Sequence, residues 1–233
     1  RSWMRDNGPC VLLAPDGTRV VADFAFTGWA KYRNHLRDDT VSRWAAGHLG
    51  LPLLPTAEGG ARVVLEGGAI EVDGQGTLLT TEECLLHPRV QVRNPGFGKA
   101  DYEELFRRVF GVTRVFWLGD GIAGDDTHGH VDDLCRFVGP STVVLALEDD
   151  PADANYRALA ENRERLEDLP IIAESLADGV ARRLGEPPRS LTPQALAYLA
   201  RHTWPGNVRE LRNVLERGLL MSGADSLARD DFE

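Results

Sequence analysis

The stretch Val63-Val64-Leu65-Glu66-Gly67-Gly68-Ala69-Ile70-Glu71-Val72-Asp73-Gly74-Gln75-Gly76-Thr77-Leu78-Leu79-Thr80-Thr81 decides the fold class. The runs Val63 to Leu65, Ala69 to Val72 and Thr77 to Thr81 are short, apolar or β-branched, and read as strands. Gly67-Gly68 and Asp73-Gly74-Gln75-Gly76 separate them, and glycine-rich breaks of this kind predict hairpins. Toward the N-terminus, Val11 to Leu13 and Arg19 to Phe24 flank the turn Pro15-Asp16-Gly17 in the same way. Apolar residues then recur at helical spacing over His35 to Leu49, Asp101 to Phe110 and Asp153 to Leu166. The reading is a mixed α/β domain of hairpins and crossover helices, without an internal repeat or a low-complexity tract.

After about Asn162 the strand signals stop. Ile171 to Leu184 is amphipathic, Thr192 with Pro193 opens a second helix, and Trp204-Pro205-Gly206 breaks the chain. Asn207 then caps a third helix whose Val208, Leu211, Val214, Leu215 and Leu219 share one face. This change of pattern predicts two domains, 1–162 of α/β type and 163–233 all-helical.

Composition limits the function. The 233 residues carry 26 basic and 36 acidic side chains, a net charge of −10, which is a poor surface for phosphate backbones. No direct nucleic-acid partner is expected, and from Arg163 onward 10 basic against 12 acidic residues argue against a DNA-reading helix-turn-helix. No apolar run approaches a membrane span, and no secretory signal opens the sequence. Cys10, Cys84 and Cys135 are odd in number and widely spaced, which predicts a cytoplasmic protein without a disulfide framework.

The densest chemistry is Asp125-Asp126-Thr127-His128-Gly129-His130-Val131-Asp132-Asp133. If extended, it points His128, His130 and Asp132 to one face. One reading is a metal-dependent hydrolase, because His-x-His-x-Asp is metal-ligand spacing. Another is metal-free guanidine chemistry, in which a carboxylate grips a planar cation through paired hydrogen bonds while a histidine moves protons.

Context separates these readings. Trp3-Met4-Arg5-Asp6-Asn7-Gly8-Pro9, Leu65-Glu66-Gly67-Gly68, Thr77 to Leu86 and Arg93-Asn94-Pro95 precede the cluster, and Asp149-Asp150 with Asn155-Tyr156 follow it. The series resembles agmatine deiminases of the Porphyromonas-type peptidylarginine deiminase family over residues 1 to about 162. The resemblance implies a pentein, a propeller of ββαβ units around a central site. It implies hydrolysis of agmatine to N-carbamoylputrescine and ammonia, a step toward putrescine, through thiolate attack on the guanidinium carbon. Asp6 and Asp132 match the guanidinium-gripping carboxylates, His130 the proton-transferring histidine, and Glu66 a carboxylate that supports it. No cofactor and no resident metal are implied, and the implied partner is a small guanidine, agmatine before peptidyl-arginine.

The resemblance departs from the family in two respects. The family's nucleophilic cysteine lies near its C-terminus, and no cysteine follows Cys135 here. The resemblance also covers about half a propeller, so an incomplete catalytic set is expected, together with exposed edges through which a homo-oligomer could form.

The second part resembles the helical lid of sigma-54-dependent AAA+ transcriptional activators through Arg163 to Pro170, Leu191 to Leu196 and Trp204-Pro205-Gly206-Asn207-Val208-Arg209-Glu210-Leu211. Arg209 matches a nucleotide-sensing arginine, here vestigial because no Gly-x-x-x-x-Gly-Lys-[Ser/Thr] loop occurs in the sequence. A regulator fragment is thus the alternative function. Val143 to Asp150, a Walker-B-like run, is expected to be a buried strand with an acidic end. Both resemblances are cut inside a domain, which predicts a truncated fusion, genomic or artefactual, joined near Asn162 to Glu167.

Overall fold

The computed structural model describes residues 3–139, 142–166, 169–199 and 207–232. The chain divides into two compact units, Arg1–Arg163 and Glu164–Glu233.

The first unit is mixed α/β. Helix α1 (Met4–Asn7) leads into an antiparallel pair, β1 (Cys10–Leu13) and β2 (Arg19–Asp23), registered from Cys10 opposite Ala22 to Leu13 opposite Arg19. Their turn is set by Asp16, whose carboxylate accepts the Thr18 N–H at 2.9 Å, and by Gly17 at φ +83°. Helix α2 (Val41–Leu49) then crosses over, and β3 (Leu53–Pro55) joins β2 in parallel. A small hairpin follows, β4 (Ala57–Glu58) with β5 (Ala61–Arg62).

The same order then recurs. Strands β6 (Glu71–Val72) and β7 (Thr77–Thr81) pair antiparallel, α3 (Glu82–Leu86) and α4 (Lys99–Phe110) follow, and β8 (Arg114–Leu118) returns in parallel beside β7. A third antiparallel pair, β9 (Cys135–Gly139) with β10 (Thr142–Leu145), precedes helix α5 (Tyr156–Leu166). The topology therefore repeats, although no internal repeat is legible in the sequence.

Helix α4 fixes the core of this unit. Tyr102, Leu105, Phe106 and Val109 lie three and four residues apart, and this face buries them against Leu78, Trp117 and Ala22. Asp101 accepts the Gly98 N–H at 2.7 Å at the helix start, and left-handed Gly111 ends it. Asn162 on α5 is fully buried; it accepts from the Gly119 N–H at 2.6 Å and donates to the Asp120 carbonyl at 2.8 Å. It holds the exit of β8 in place.

Two strand expectations are corrected. Val63 to Leu65 does not form a hairpin with Ala69 to Val72 across Gly67-Gly68. Val64 bridges Ala25 in parallel on one side, and on the other the Asn94 amide accepts its N–H at 2.9 Å and donates to its carbonyl at 2.8 Å, as a neighbouring strand would. Nor is Val143 to Asp150 a buried strand. The strand is Thr142–Leu145, its partner among the described residues is β9, and Val138, Val144 and Leu147 stay exposed.

The second unit packs α6 (Leu169–Leu184), α7 (Pro193–Leu199) and α8 (Asn207–Met221). Ala173, Ala177 and Ala181 recur every fourth residue on α6, as do Leu211, Leu215 and Leu219 on α8, and all six are buried in one apolar cluster. Thr192 caps α7 as its sequence predicts, its hydroxyl accepting the Ala195 N–H at 3.2 Å. Arg189 donates to the Leu219 and Ser222 carbonyls at 3.1 and 2.6 Å, satisfying the end of α8. The unit is not purely helical: β11 (Ser190–Leu191) pairs in parallel with β12 (Ser226–Leu227), which buries Leu191 and Leu227. Trp204-Pro205-Gly206 and the Arg209 side chain lie outside the described residues. Among the described residues, no helix is long and apolar enough to cross a membrane.

Candidate functional site

Three segments, a short helix and two loops, bring the predicted residues together. Asp6 lies on α1, Glu66 precedes a helical turn at Gly67–Ala69, and His130 precedes a second such turn at Val131–Asp133 that carries Asp132. The buried His130 ring lies among all three carboxylates. Its Nδ1 is 3.6 Å from Asp6 Oδ1 and 3.9 Å from Asp132 Oδ1, and its Nε2 is 3.8 Å from Glu66 Oε2.

Glycine makes the convergence possible. A Cβ on Gly68 would fall 2.3 Å from His130 Nδ1, 2.7 Å from Asp6 Oδ1 and 2.9 Å from Asp132 Oδ1, inside contact distance of all three. A Cβ on Gly67 would fall 2.0 Å from the Arg5 carbonyl oxygen. The pair Gly67-Gly68 is therefore a close approach of backbone to functional groups rather than a hairpin turn. The Gly68 N–H also donates to Asp6 Oδ1 at 3.2 Å.

The segment from Asp125 to Asp133 is not extended, so His128, His130 and Asp132 do not share a face. His128 and Gly129 both have positive φ, 65° and 82°, which breaks strand alternation between the two histidines. Asp125 organises the turn by accepting the N–H groups of Thr127, Gly129 and His130. Burial raises the Asp125 pKa, but these hydrogen bonds outweigh it and hold the carboxyl below its usual range. Asp126 is spent on the surface, bound by Lys31 and Tyr32. His128 turns instead to Glu83, Nδ1 to Oε1 3.2 Å, with its ring edge-on to His87. Burial lowers its pKa, which Glu83 opposes in part. The metal reading of His-x-His-x-Asp thus loses its geometry. Among the described residues, the cluster with metal-ligating spacing is Glu66, Cys84 and His130.

Further side chains complete the site. Arg93 and Glu66 form an ion pair with no exposed side-chain surface, Arg93 Nε lying 3.2 and 3.3 Å from the two oxygens. Burial, the largest influence on Glu66, raises its pKa, but the Arg93 charge and His130 bring it below the usual value. His130 is held well above the usual imidazole range, because Cys84 and Glu66 beside it outweigh the burial that opposes its charge. Asp6 is raised, chiefly by burial; His130 and the Trp29 indole N–H, which donates to Oδ2 at 3.1 Å, oppose this. Arg5 ties Asp132 to the second hairpin, with Nε 3.3 Å from Asp132 and a donated bond to Glu71 at 2.8 Å. Arg93 stands in the quoted Arg-Asn-Pro motif, which was its only signal. Trp29 had none.

Asp6 lines one of two cavities, and Trp29, which bonds Asp6, lines the other. One of about 410 Å³ is lined by Met4, Arg5, Asp6, Glu66 and Glu71 among others. One of about 280 Å³ has an aromatic wall of Trp3, Phe26, Trp29 and Tyr32. The three cysteines are free, and burial pushes the thiols of Cys10 and Cys135 up to about 11 and about 12. Neither is poised as a thiolate.

A twice-used ββαβ topology around a histidine with flanking carboxylates defines the class, a mixed α/β protein with a polar interior site. The sequence model of the Porphyromonas-type peptidyl-arginine deiminases matches residues 1–175, and the chain belongs to that family. A model of the AAA+ ATPase lid domain matches residues 163–233. A Vibrio parahaemolyticus protein provisionally named as an agmatine deiminase is 41% identical over 170 residues, 71% of this chain and 45% of the relative. The solved agmatine deiminase of Enterococcus faecalis superposes with a TM-score of 0.64 at 34% identity, over 70% of this chain and 44% of that one. A C. jejuni agmatine deiminase, solved as a cysteine-to-serine variant with substrate bound, gives a TM-score of 0.61 at 29% identity, over 71% and 47%. The chain thus spans less than half the length of these relatives.

Proposed function

We propose that residues 1–162 are the guanidine-binding portion of an agmatine deiminase, built as a partial pentein-type propeller, and that residues 163–233 are a lid-like domain of sigma-54 activator type. The observation that carries the reading is the convergence of Asp6, Asp132 and His130 on Gly68, a glycine with no room for a side chain. A planar guanidinium donates paired hydrogen bonds to carboxylates placed on its edges, and Asp6 and Asp132 serve as those acceptors. His130 Nδ1 faces both and exchanges protons with the bound group. Glu66 stands at the opposite nitrogen and stabilises the imidazolium. The aromatic wall beside Asp6 suits the polymethylene chain of a guanidino amine such as agmatine. The repeated topology supports the propeller reading, and the open β9–β10 pair is an edge on which a second copy could dock.

These residues hold and protonate, but a nucleophile is also required. Cys84 is shut in the core and the other two thiols resist ionisation, so the 233-residue chain binds agmatine without turning it over. The sequence carries no Gly-x-x-x-x-Gly-Lys-[Ser/Thr] loop to cradle phosphates, and Arg209 alone does not give useful ATP affinity. The free cysteines fit a reducing cytoplasm.

Calorimetric titration with agmatine tests the site. Weak, saturable binding that Asp132→Asn diminishes is expected, with circular dichroism confirming that the variant folds. Binding of equal strength in a folded Asp132→Asn protein would sink the reading.

A further inference from the structure

The His130 ring presents Nδ1 to the guanidine site and Nε2 to a different group of atoms. Nε2 is buried and has no hydrogen-bond partner, the imidazole being 2% exposed. Glu66 Oε2 at 3.8 Å faces it beyond hydrogen-bond reach, and a buried polar nitrogen so loosely satisfied is costly and leaves room for a ligand. On its side lie Glu66 and Cys84, and one donor atom from each of Glu66, Cys84 and His130 falls within 4.8 Å of the others.

We infer that Glu66, Cys84 and His130 Nε2 form a buried site for a divalent cation of zinc type, which silences the histidine when filled. The donor set is a nitrogen, a thiolate and a carboxylate oxygen, the mixture that zinc prefers over the all-oxygen shells of magnesium or calcium. The spacing agrees. Zinc bonds of about 2.0–2.2 Å to nitrogen and oxygen span the 3.8 Å between Nε2 and Glu66 Oε2. A zinc–sulfur bond of about 2.3 Å reaches Cys84, whose sulfur lies within 4.8 Å of both other donor atoms, once the three side chains draw in around the ion. Arg93 does not exclude the ion, since its single Nε approaches the two Glu66 oxygens and leaves each a further lone pair.

The consequence for His130 is mechanical. An ion on Nε2 leaves the ring proton on Nδ1, so the ring has no free lone pair with which to accept a proton from the guanidine side. Binding releases the thiol proton and any proton on Nε2 to solvent. The metal contacts neither Asp6 nor Asp132, but it shares Glu66 and His130 with the deiminase reading, on which the silencing rests while the binding itself does not.

The test uses the full chain, reduced and freed of metal by chelation, then incubated with Zn²⁺ or Co²⁺. The expected result is one zinc per chain held against a chromophoric chelator, and a thiolate-to-cobalt charge-transfer band with the intense visible bands of a four-coordinate site. Cys84→Ser should abolish the charge-transfer band and weaken zinc at least about tenfold. The double variant Cys10→Ser, Cys135→Ser keeps Cys84 as the sole thiol and should retain the band, which decides the matter even if Cys84→Ser does not fold. A band absent from both the parent and the double variant, or one that persists in Cys84→Ser, overturns the inference. Neither result alters the agmatine titration of Asp132→Asn, so the two proposals fail separately.

Discussion

The two units fill their interiors with different materials. Among the described residues, the buried polar and charged side chains, from Asn7 and Glu66 to Arg93, His130 and Asn162, all lie in Arg1–Arg163. The interior of Glu164–Glu233 is alanine, leucine, valine and phenylalanine. Apolar packing stabilises a shape and asks little of exact atoms, whereas a buried charge is tolerated only where its partners are in place. The contrast separates a unit with a polar interior from one whose described interior is apolar.

The sharpest way to break that contrast is Glu66→Gln, which leaves Arg93 as an uncompensated charge in a fully buried position. A loss of about 3–5 kcal/mol in urea unfolding is expected, and Glu66→Leu combined with Arg93→Met should recover most of it. The pH dependence has a definite sign. The folded-state pKa of Glu66 lies below its ordinary value, so its contribution is complete above the usual carboxylate range and is lost as pH falls through the lowered value. Acid should therefore weaken the parent more than the apolar double variant.

Leu215→Ala makes the corresponding cut in the second unit. The side chain is fully buried between helices, and a cavity cost of about 2–5 kcal/mol is expected. Unlike the loss at Glu66, this one should be nearly independent of pH. Equal acid sensitivity of both losses would erase the distinction between the interiors.

Gly68→Ala should cost less stability and more function. The added methyl must displace His130, Asp6 and Asp132, at about 1–3 kcal/mol by denaturant unfolding. The calorimetric response to agmatine should vanish while the fold persists. A smaller effect is expected of Trp29→Phe, which removes the indole donor to Asp6. The Asp6 pKa is already raised by burial, so agmatine affinity should climb with pH as that carboxyl ionises. In Trp29→Phe the climb should move to higher pH, with about 1 kcal/mol lost at a fixed pH below it.

The parts of the fold legible in the sequence were those set by local pattern. The hairpin around Pro15-Asp16-Gly17, the apolar face of α4 and the Thr192 cap depend on neighbours within a few residues. The bridge from Val64 to Ala25 and the Asn94 amide that mimics a strand involve residues tens of positions apart, so no local pattern announced them. The repeated topology was hidden because direction and pairing repeat while the residues do not. At the site, resemblance carried over four residue numbers, His130 among them, but the extended reading that put His128 on the same face failed because positive φ at His128 and Gly129 is not announced by spacing. Arg93 pairs with Glu66 across 27 positions, a distance at which spacing carries no information.

The tight approach at Gly68 also has a genetic meaning. Any single base change that alters a glycine codon inserts either a Cβ or a stop, so every missense step at this position drives a side chain against His130, Asp6 and Asp132. Most surface positions record drift silently, but this one does not. Across independent isolates carrying the same gene, glycine retained here amid change elsewhere would mark a pocket still under selection. A scatter of serine, aspartate and valine at residue 68 would mark a relic, and sequencing alone would read the difference.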